Sequence, residues 1–143
     1  MYFCILIKKH MQMKKLSLAL TAAALFVACG HDAKNIHTLE AADFAAALQK
    51  QAISLVDVRT AEEYAEGHLP GAINVDVKQP DFSNRATQAI KQSGNQNLPV
   101  AVYCLRGSRS MKAATLLAKE GKEVYNLAGG ITAWNEAGMP VEK

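Results

Sequence analysis

Cysteine and aromatic residues are scarce in this sequence. It contains three cysteines and one tryptophan among 143 residues, and three thiols are too few for the disulfide framework of a small secreted scaffold. Histidine, cysteine and acidic residues nowhere have the spacing of a metal site, so we predict neither a metal nor another cofactor. The sequence has no internal repeat and no low-complexity tract. Its length and half-apolar composition predict a single globular domain.

The chain also lacks an apolar run of the roughly 20 residues that a membrane-spanning helix needs. Its uncharged run over residues 16–28 follows Lys14 and Lys15, which is typical of a secretory signal. Residues 25–30, Leu-Phe-Val-Ala-Cys-Gly, resemble a bacterial lipobox, in which Cys29 is lipidated and becomes the first mature residue. An ordinary signal that is cleaved nearby, leaving Cys29 as a free thiol, is the alternative.

These features divide the chain into three predicted parts. We expect a lipoprotein-type signal peptide over residues 1–28, cleaved before Cys29, a tether over residues 29–35 and one domain over residues 36–143. The predicted location is the bacterial cell envelope, on the periplasmic side and held by lipid. Gly30 after the lipidated cysteine resembles the pattern of lipoproteins that reach the outer membrane rather than the inner one.

The formal charge of +3 arises from the predicted signal segment. Four of the sixteen basic residues precede Cys29, whereas all thirteen acidic residues follow it, so the rest of the chain carries a net charge of −1. A protein without a basic excess is a poor candidate for nucleic-acid binding. We therefore predict no nucleic-acid partner, and we expect contact with a membrane only through the lipid anchor.

The most informative stretch is residues 104–109, Cys-Leu-Arg-Gly-Ser-Arg. It lies between an apolar run at residues 99–103, which predicts a buried strand, and a helix-like segment at residues 110–120. Backbone N–H groups of a tight loop and the start of a helix both stabilise an anion, and both lower the pKa of a thiol. A small buried core residue is the alternative for Cys104. Arg106, Gly107 and Arg109 favour a reactive thiolate, because arginine is rarely buried without a partner.

Strands alternate with helices along the predicted domain, which indicates an α/β fold with a mostly parallel sheet and helices on both faces. A Thr60-x-x-Glu63 capping box predicts a helix over residues 61–66. In the helix after Cys104, the predicted core-facing residues are Met111, Ala114, Leu117 and Ala118. Asp57 and Arg59 end a buried strand, where parallel sheets place functional groups. They either support the loop, by hydrogen-bonding to it or by pairing with its arginines, or form a structural ion pair that holds the strand to its helix.

Four motifs together resemble the single-domain rhodanese family, of a periplasmic lipoprotein type. They are Cys-x-x-Gly-x-Arg from Cys104, Leu-Val-Asp-Val-Arg at 55–59, Gly-His-Leu-Pro-Gly-Ala-Ile-Asn at 67–74, and Leu-Ala-Gly-Gly-Ile-Thr-Ala-Trp at 127–134. The resemblance covers residues 36–142 in order and spacing. It implies a five-stranded sheet and a thiosulfate sulfurtransferase, in which Cys104 takes a sulfane sulfur from a donor and holds it as a persulfide.

For the site, we expect Cys104 to be catalytic and its loop to bind the substrate. The substrate-binding residues are then Leu105, Arg106, Gly107, Ser108 and Arg109. Of the two arginines, Arg106 is expected to meet the anion and Arg109 to brace the loop. The expected partners are a small anionic sulfur donor and a thiol or cyanide acceptor, and we expect a monomer.

Two other functions are open. A cysteine phosphatase or arsenate reductase also holds a thiolate among N–H groups and an arginine, but those loops place five residues between cysteine and arginine. Here four intervene, which suits a single sulfur atom better than a tetrahedral oxyanion. The second alternative is a persulfide carrier or interaction module with little turnover of small molecules.

Overall fold

The computed structural model describes residues 34–143 of the chain. Ten elements follow one another: β1 (Ile36–Leu39), α1 (Ala41–Lys50), β2 (Ser54–Asp57), α2 (Ala61–Glu66), β3 (Ile73–Asn74), α3 (Phe82–Gln92), β4 (Val100–Tyr103), α4 (Ser108–Lys119), β5 (Val124–Leu127) and α5 (Gly130–Glu136). The predicted signal peptide, residues 29–33 of the predicted tether and the lipidation of Cys29 lie outside the described residues.

The five strands form one sheet in the order β1-β5-β4-β2-β3, and every pairing is parallel. Strand β4 lies at the centre, and all four of its residues are buried. A strand covered on both faces must be apolar throughout, which explains its sequence Val-Ala-Val-Tyr. The predicted five-stranded α/β fold is confirmed.

Helices cover both faces of the sheet and divide the core in two. On one face, the alternate β4 residues Val100 and Val102 pack with α3 and α4. On the other face, Ala101 and Tyr103 pack with α1 and α5. Because successive side chains of a strand point to opposite faces, Cys104 follows Val102 onto the α3 and α4 face.

Local signals set the ends of two helices. The capping box of α2 forms as predicted: the Glu63 N–H donates to Thr60 Oγ1 at 3.3 Å, and the Thr60 N–H donates to Glu63 Oε2 at 3.1 Å. Helix α4 begins at Ser108, two residues before the predicted start. The reason is Gly107, whose φ of 104° lets the chain turn at once into the helix.

One prediction about the core-facing side of α4 is wrong, because Met111 does not face the core. Met111 is 38 % exposed, whereas Ser110 and Ala113 are buried alongside Ala114, Leu117 and Ala118. The buried residues recur at intervals of three and four from Ser110, and Met111 lies about a quarter turn away from the centre of that stripe. The apolar character of Met111 does not compensate for that position.

Within residues 34–143, every helix is too short or too polar to cross a bilayer. The same part of the chain brings no three histidine, cysteine or acidic side chains together at a possible metal site.

Candidate active site

Cys104 lies immediately beyond the carboxyl end of β4, beneath the first turn of α4. Its side chain is almost fully buried, with 1 % exposed, and it contacts the core on that face of the sheet. The Gly107 N–H donates to Cys104 Sγ at 3.0 Å. Burial alone fits a small core residue, but a backbone donor aimed at the sulfur fits a site for anionic sulfur.

Several groups act on the ionisation of this thiol. Burial raises the pKa of Cys104, because the interior disfavours a charged sulfur. The Ser110 hydroxyl and the Ser110 N–H lower it, and the N–H groups of Gly107 and Arg106 lower it further. The effect of these hydrogen-bond donors on the pKa exceeds the effect of burial, so the pKa of Cys104 lies below its ordinary value. The loop therefore favours the nucleophilic thiolate.

Ser110 is a part of this arrangement that the sequence analysis did not identify. It is fully buried, and its hydroxyl donates to the Gly107 carbonyl at 3.0 Å. A hydroxyl can rotate, so the same group is able to turn toward an ionised sulfur. The available signal was a serine in the first turn of a helix that follows a strand-end cysteine.

The predicted substrate-binding residues differ in their exposure to solvent. Leu105, Arg106 and Ser108 are exposed, whereas Gly107 and Arg109 are half-buried. Ser108 and Arg109 belong to the first turn of α4 rather than to the loop. Within residues 34–143, the guanidinium of Arg106 has no ion-pair partner.

Arg109 is held by a residue from another helix. Its Nη1 donates to Glu63 Oε2 at 2.7 Å, and its Nη2 donates to Glu63 Oε1 at 2.8 Å. These hydrogen bonds lower the pKa of Glu63 to about 2 although partial burial raises it, and they raise the pKa of Arg109. The sequence analysis assigned Glu63 only a capping role, because 46 residues separate the pair.

Asp57 and Arg59 pair with each other and not with the arginines of the loop. Arg59 Nη2 donates to Asp57 Oδ2 at 2.6 Å and to the Gly67 carbonyl at 2.7 Å. Both residues are buried, and the Arg59 guanidinium lies 5.7 Å from the centre of the Tyr103 ring. Of the two alternatives, the structural ion pair is the one observed, and neither residue pairs with Arg106 or Arg109 in the described part of the chain.

The start of α5 holds the beginning of the loop. The Ile131 N–H donates to the Cys104 carbonyl at 2.9 Å, and both the N–H and the hydroxyl of Thr132 donate to the Leu105 carbonyl, at 3.2 and 2.9 Å. A Cβ at Gly130 would overlap the Cys104 carbonyl and lie 2.5 Å from the Leu105 carbonyl oxygen. With its carbonyls turned toward α5, this part of the loop leaves the N–H groups of the following residues free to face the sulfur.

Comparisons with known proteins place these features in a family. Residues 40–137 match the family model of the rhodanese-like domain. Thiosulfate sulfurtransferase 16, chloroplastic, of Arabidopsis thaliana is 38 % identical over 97 residues, which cover 61 % of this chain and 78 % of that protein. Thiosulfate sulfurtransferase GlpE of Pseudomonas fluorescens is 37 % identical over 94 residues, covering 64 % of this chain and 79 % of that protein.

A solved structure agrees with these sequence matches. The solution structure of the rhodanese-like domain from the Anabaena protein Alr3790 superposes with a TM-score of 0.61 at 27 % identity, over 73 % of this chain and 77 % of that one. The family model covers more than half of the chain, and the structure has the matching sheet and helices. The chain belongs to the rhodanese-like domain family.

Proposed function

We propose that this protein is a sulfurtransferase that carries a sulfane sulfur as a persulfide on Cys104. The Cys104 thiolate attacks the outer sulfur of thiosulfate or a similar donor, the sulfur–sulfur bond of the donor breaks, and sulfite leaves with the electron pair. A thiol or cyanide then attacks the outer sulfur of the persulfide and restores the thiolate. Two half-reactions through a covalent enzyme form give ping-pong kinetics.

The observation that carries this proposal is the hydrogen-bond donation to Cys104 Sγ from the loop and the start of α4. The Gly107 N–H contacts the sulfur at 3.0 Å, and the neighbouring donors bring the thiol pKa below its ordinary value. Prearranged N–H groups also stabilise negative charge as it develops on a second sulfur. The thiosulfate sulfurtransferases among the relatives support the same chemistry.

The deciding experiment is mass spectrometry of the intact protein and of its Cys104 peptide after treatment with thiosulfate. We expect the peptide that contains Cys104 to gain the mass of one sulfur atom and to lose it when cyanide is added. Cys104→Ser is the control, which keeps the fold and forms no persulfide. Sulfur transfer that persists in this variant would remove the thiol from the mechanism.

Arg106 is the residue proposed to bind the anionic sulfur donor. It is exposed and unpaired within residues 34–143, whereas Arg109 is held by Glu63. We expect Arg106→Ala to raise the KM for thiosulfate by about 10- to 100-fold, since a charge-assisted hydrogen bond contributes roughly 1.5–3 kcal/mol. Arg109→Ala is expected to raise it less. Steady-state kinetics with both variants test this order, and the reverse order would contradict it.

A persulfide carrier with a protein acceptor is the second candidate, and one observation favours it. Leu105 and Met111 are 41 % and 38 % exposed, and they flank the loop and the first turn of α4. Exposed apolar side chains that lie so near the thiol along the chain suit a partner that covers the site. Slow turnover with cyanide, together with a persulfide that forms readily, would favour the carrier over the enzyme.

We also propose that the domain is attached to the cell envelope through Cys29. The support is the lipobox-like sequence at 25–30 and the signal-like run before it. The test is the intact mass of the mature protein from its own cells: an acylated cysteine at the N-terminus supports the anchor. Soluble mature protein with an unmodified Cys29 would contradict it.

A further inference from the structure

The ion pair between Glu63 and Arg109 links two helices, and it also neutralises a positive charge at the edge of the site. Both carboxylate oxygens of Glu63 accept from Arg109, at 2.7 and 2.8 Å, and Oε2 also accepts the Thr60 N–H. The side chains of Arg109 and Glu63 are only 22 % and 28 % exposed. The contact is therefore bidentate, largely shielded from solvent and held in place by the α2 capping box.

This pairing leaves little positive charge at the site that is free to bind an anionic sulfur donor. Arg109 lies in the first turn of α4, two residues after the Gly107 N–H that contacts the sulfur, but its guanidinium is neutralised by Glu63. The negative charge of Asp76 also raises the pKa of Arg109. Arg106 is then the one guanidinium of the loop without an ion-pair partner in the described part of the chain.

We propose that Glu63 is a specificity-determining residue, which makes the site favour sulfane-sulfur donors with a single negative charge over the dianion thiosulfate. The inference rests on the proposed sulfurtransferase function. The donor class is an organic thiosulfonate or a related monoanion, whose outer sulfur is bonded to a group without a second charge.

The charge balance of the two reactions explains the preference. When the Cys104 thiolate attacks the outer sulfur of a thiosulfonate, the sulfur–sulfur bond breaks, a sulfinate leaves with the electron pair, and two negative charges are present throughout. The same attack on thiosulfate gathers three negative charges, and sulfite leaves with two of them. A carboxylate beside the site opposes the second case more strongly than the first.

The experiment compares kcat/KM for benzenethiosulfonate and for thiosulfate, with cyanide as acceptor. In Glu63→Gln, the side-chain carbonyl can still accept the Thr60 N–H, because glutamine also forms capping boxes, but the negative charge is gone. We expect kcat/KM for thiosulfate to rise by about tenfold relative to benzenethiosulfonate, as one charge at an effective dielectric of about 20 allows. The difference is expected to shrink as salt is added.

Glu62→Gln is the matched control, since it removes the same charge from the neighbouring exposed residue, which does not contact Arg109. Glu63→Asp keeps the charge and is expected to keep the donor ratio of the unaltered protein. If Glu63→Gln does not fold, Asp76→Asn removes the second carboxylate that acts on Arg109 and is expected to shift the ratio in the same direction by a smaller factor.

The outcomes test the role of Glu63 separately from the proposed sulfurtransferase function. An unchanged donor ratio in Glu63→Gln, an equal loss of activity with both donors, or the same shift in Glu62→Gln would overturn the role of Glu63. Mass spectrometry of Cys104 after treatment with each donor tests the chemistry separately. A persulfide with an unchanged ratio leaves the proposed function standing, whereas no persulfide with either donor rejects it.

Discussion

Ser110 shows how one buried hydroxyl is able to tune the reactive thiol. It belongs to the first turn of α4, within reach of both Cys104 Sγ and the Gly107 carbonyl. Such a group stabilises a thiolate more than a thiol, because its dipole turns toward the charge. The serine therefore helps to bring the pKa of Cys104 below its ordinary value, and it forms no bond to sulfur in the proposed reaction.

Replacing Ser110 is expected to move the pH dependence of persulfide formation. The thiolate fraction rises with pH and levels off above the pKa of Cys104, which lies below the ordinary thiol value. In Ser110→Ala that pKa rises, so the rate reaches its plateau at higher pH. Rapid-mixing measurements across pH with thiosulfate test the shift. Thr115→Ala, which removes a hydroxyl farther along α4, serves as control, and an equal shift there would contradict the role of Ser110.

Between elements, the contact of α5 with the loop depends on Gly130. Its φ of 60° suits glycine, and a Cβ would meet the carbonyl groups of Cys104 and Leu105. Strain at this point acts directly on the peptide groups that orient the loop. The helix start thus links the stability of the fold to the geometry around the sulfur.

Gly130→Ala is expected to destabilise the protein by about 2–4 kcal/mol, from left-handed strain together with a clash in a packed site. Thermal denaturation measures the effect, and persulfide formation is expected to slow as well. Gly138→Ala is the control, because Gly138 has a φ of 71° but open space around it. Equal melting temperatures for the two variants would show that the clash is relieved without cost.

The Glu63 and Arg109 pair connects α2 to α4 and makes their attachment sensitive to acid. The pKa of Glu63 falls to about 2 in the folded protein from a usual 4.5. A carboxyl with a lowered pKa stabilises the fold fully above its unfolded value, and that stability is lost as pH falls toward 2. Because both side chains keep some contact with solvent, we expect about 1 kcal/mol.

Urea denaturation at pH values from about 6 down to about 3 tests this expectation. The unaltered protein is expected to lose stability more steeply in that range than Glu63→Gln, which has no carboxyl to protonate at that position. Glu62→Gln is again the control. Parallel curves for Glu63→Gln and the unaltered protein would mean that the pair contributes nothing to stability.

For the molecule as a whole, the C-terminal residues are fastened to the segment between α2 and β3. Glu142 and His68 exchange two backbone hydrogen bonds of 2.9 Å, and the Glu142 carboxylate accepts the Gly71 N–H at 3.0 Å. The His68 ring stacks on Tyr64, with centroids 3.7 Å apart. His68 therefore supports the conformation of the turn.

Glu142→Ala is expected to lower the stability by about 1 kcal/mol, because it removes the acceptor of the Gly71 N–H. The backbone bonds to His68 remain. Differential scanning calorimetry tests the change, and Glu136→Ala at an exposed position of α5 is the control. A Glu142→Ala melting temperature equal to that of the control would show that the carboxylate contact is not formed in solution.

Much of this architecture is predictable from the sequence because its signals are local. Apolar runs located the strands, the Thr60 and Glu63 box fixed the start of α2, and alternation of elements gave the parallel sheet. The long-range contacts were not predictable. Nothing near Arg109 in the chain identifies Glu63 as its partner, and nothing near Cys104 identifies Gly130. Met111 was misplaced because an apolar residue at the margin of a helical stripe satisfies the pattern without being buried.

The parallel sheet also has a consequence for access to the thiol. Ile36, at the beginning of β1, is level with Val124, and Val124 is level with Val100 at the beginning of β4. Cys104 follows the other end of β4, about 13 Å away along the strands. The point where the chain enters the sheet and the Cys104 sulfur therefore lie toward opposite edges of the sheet. An attachment through the residues before Ile36, as proposed for Cys29, would be made at the edge away from the proposed site of sulfur transfer.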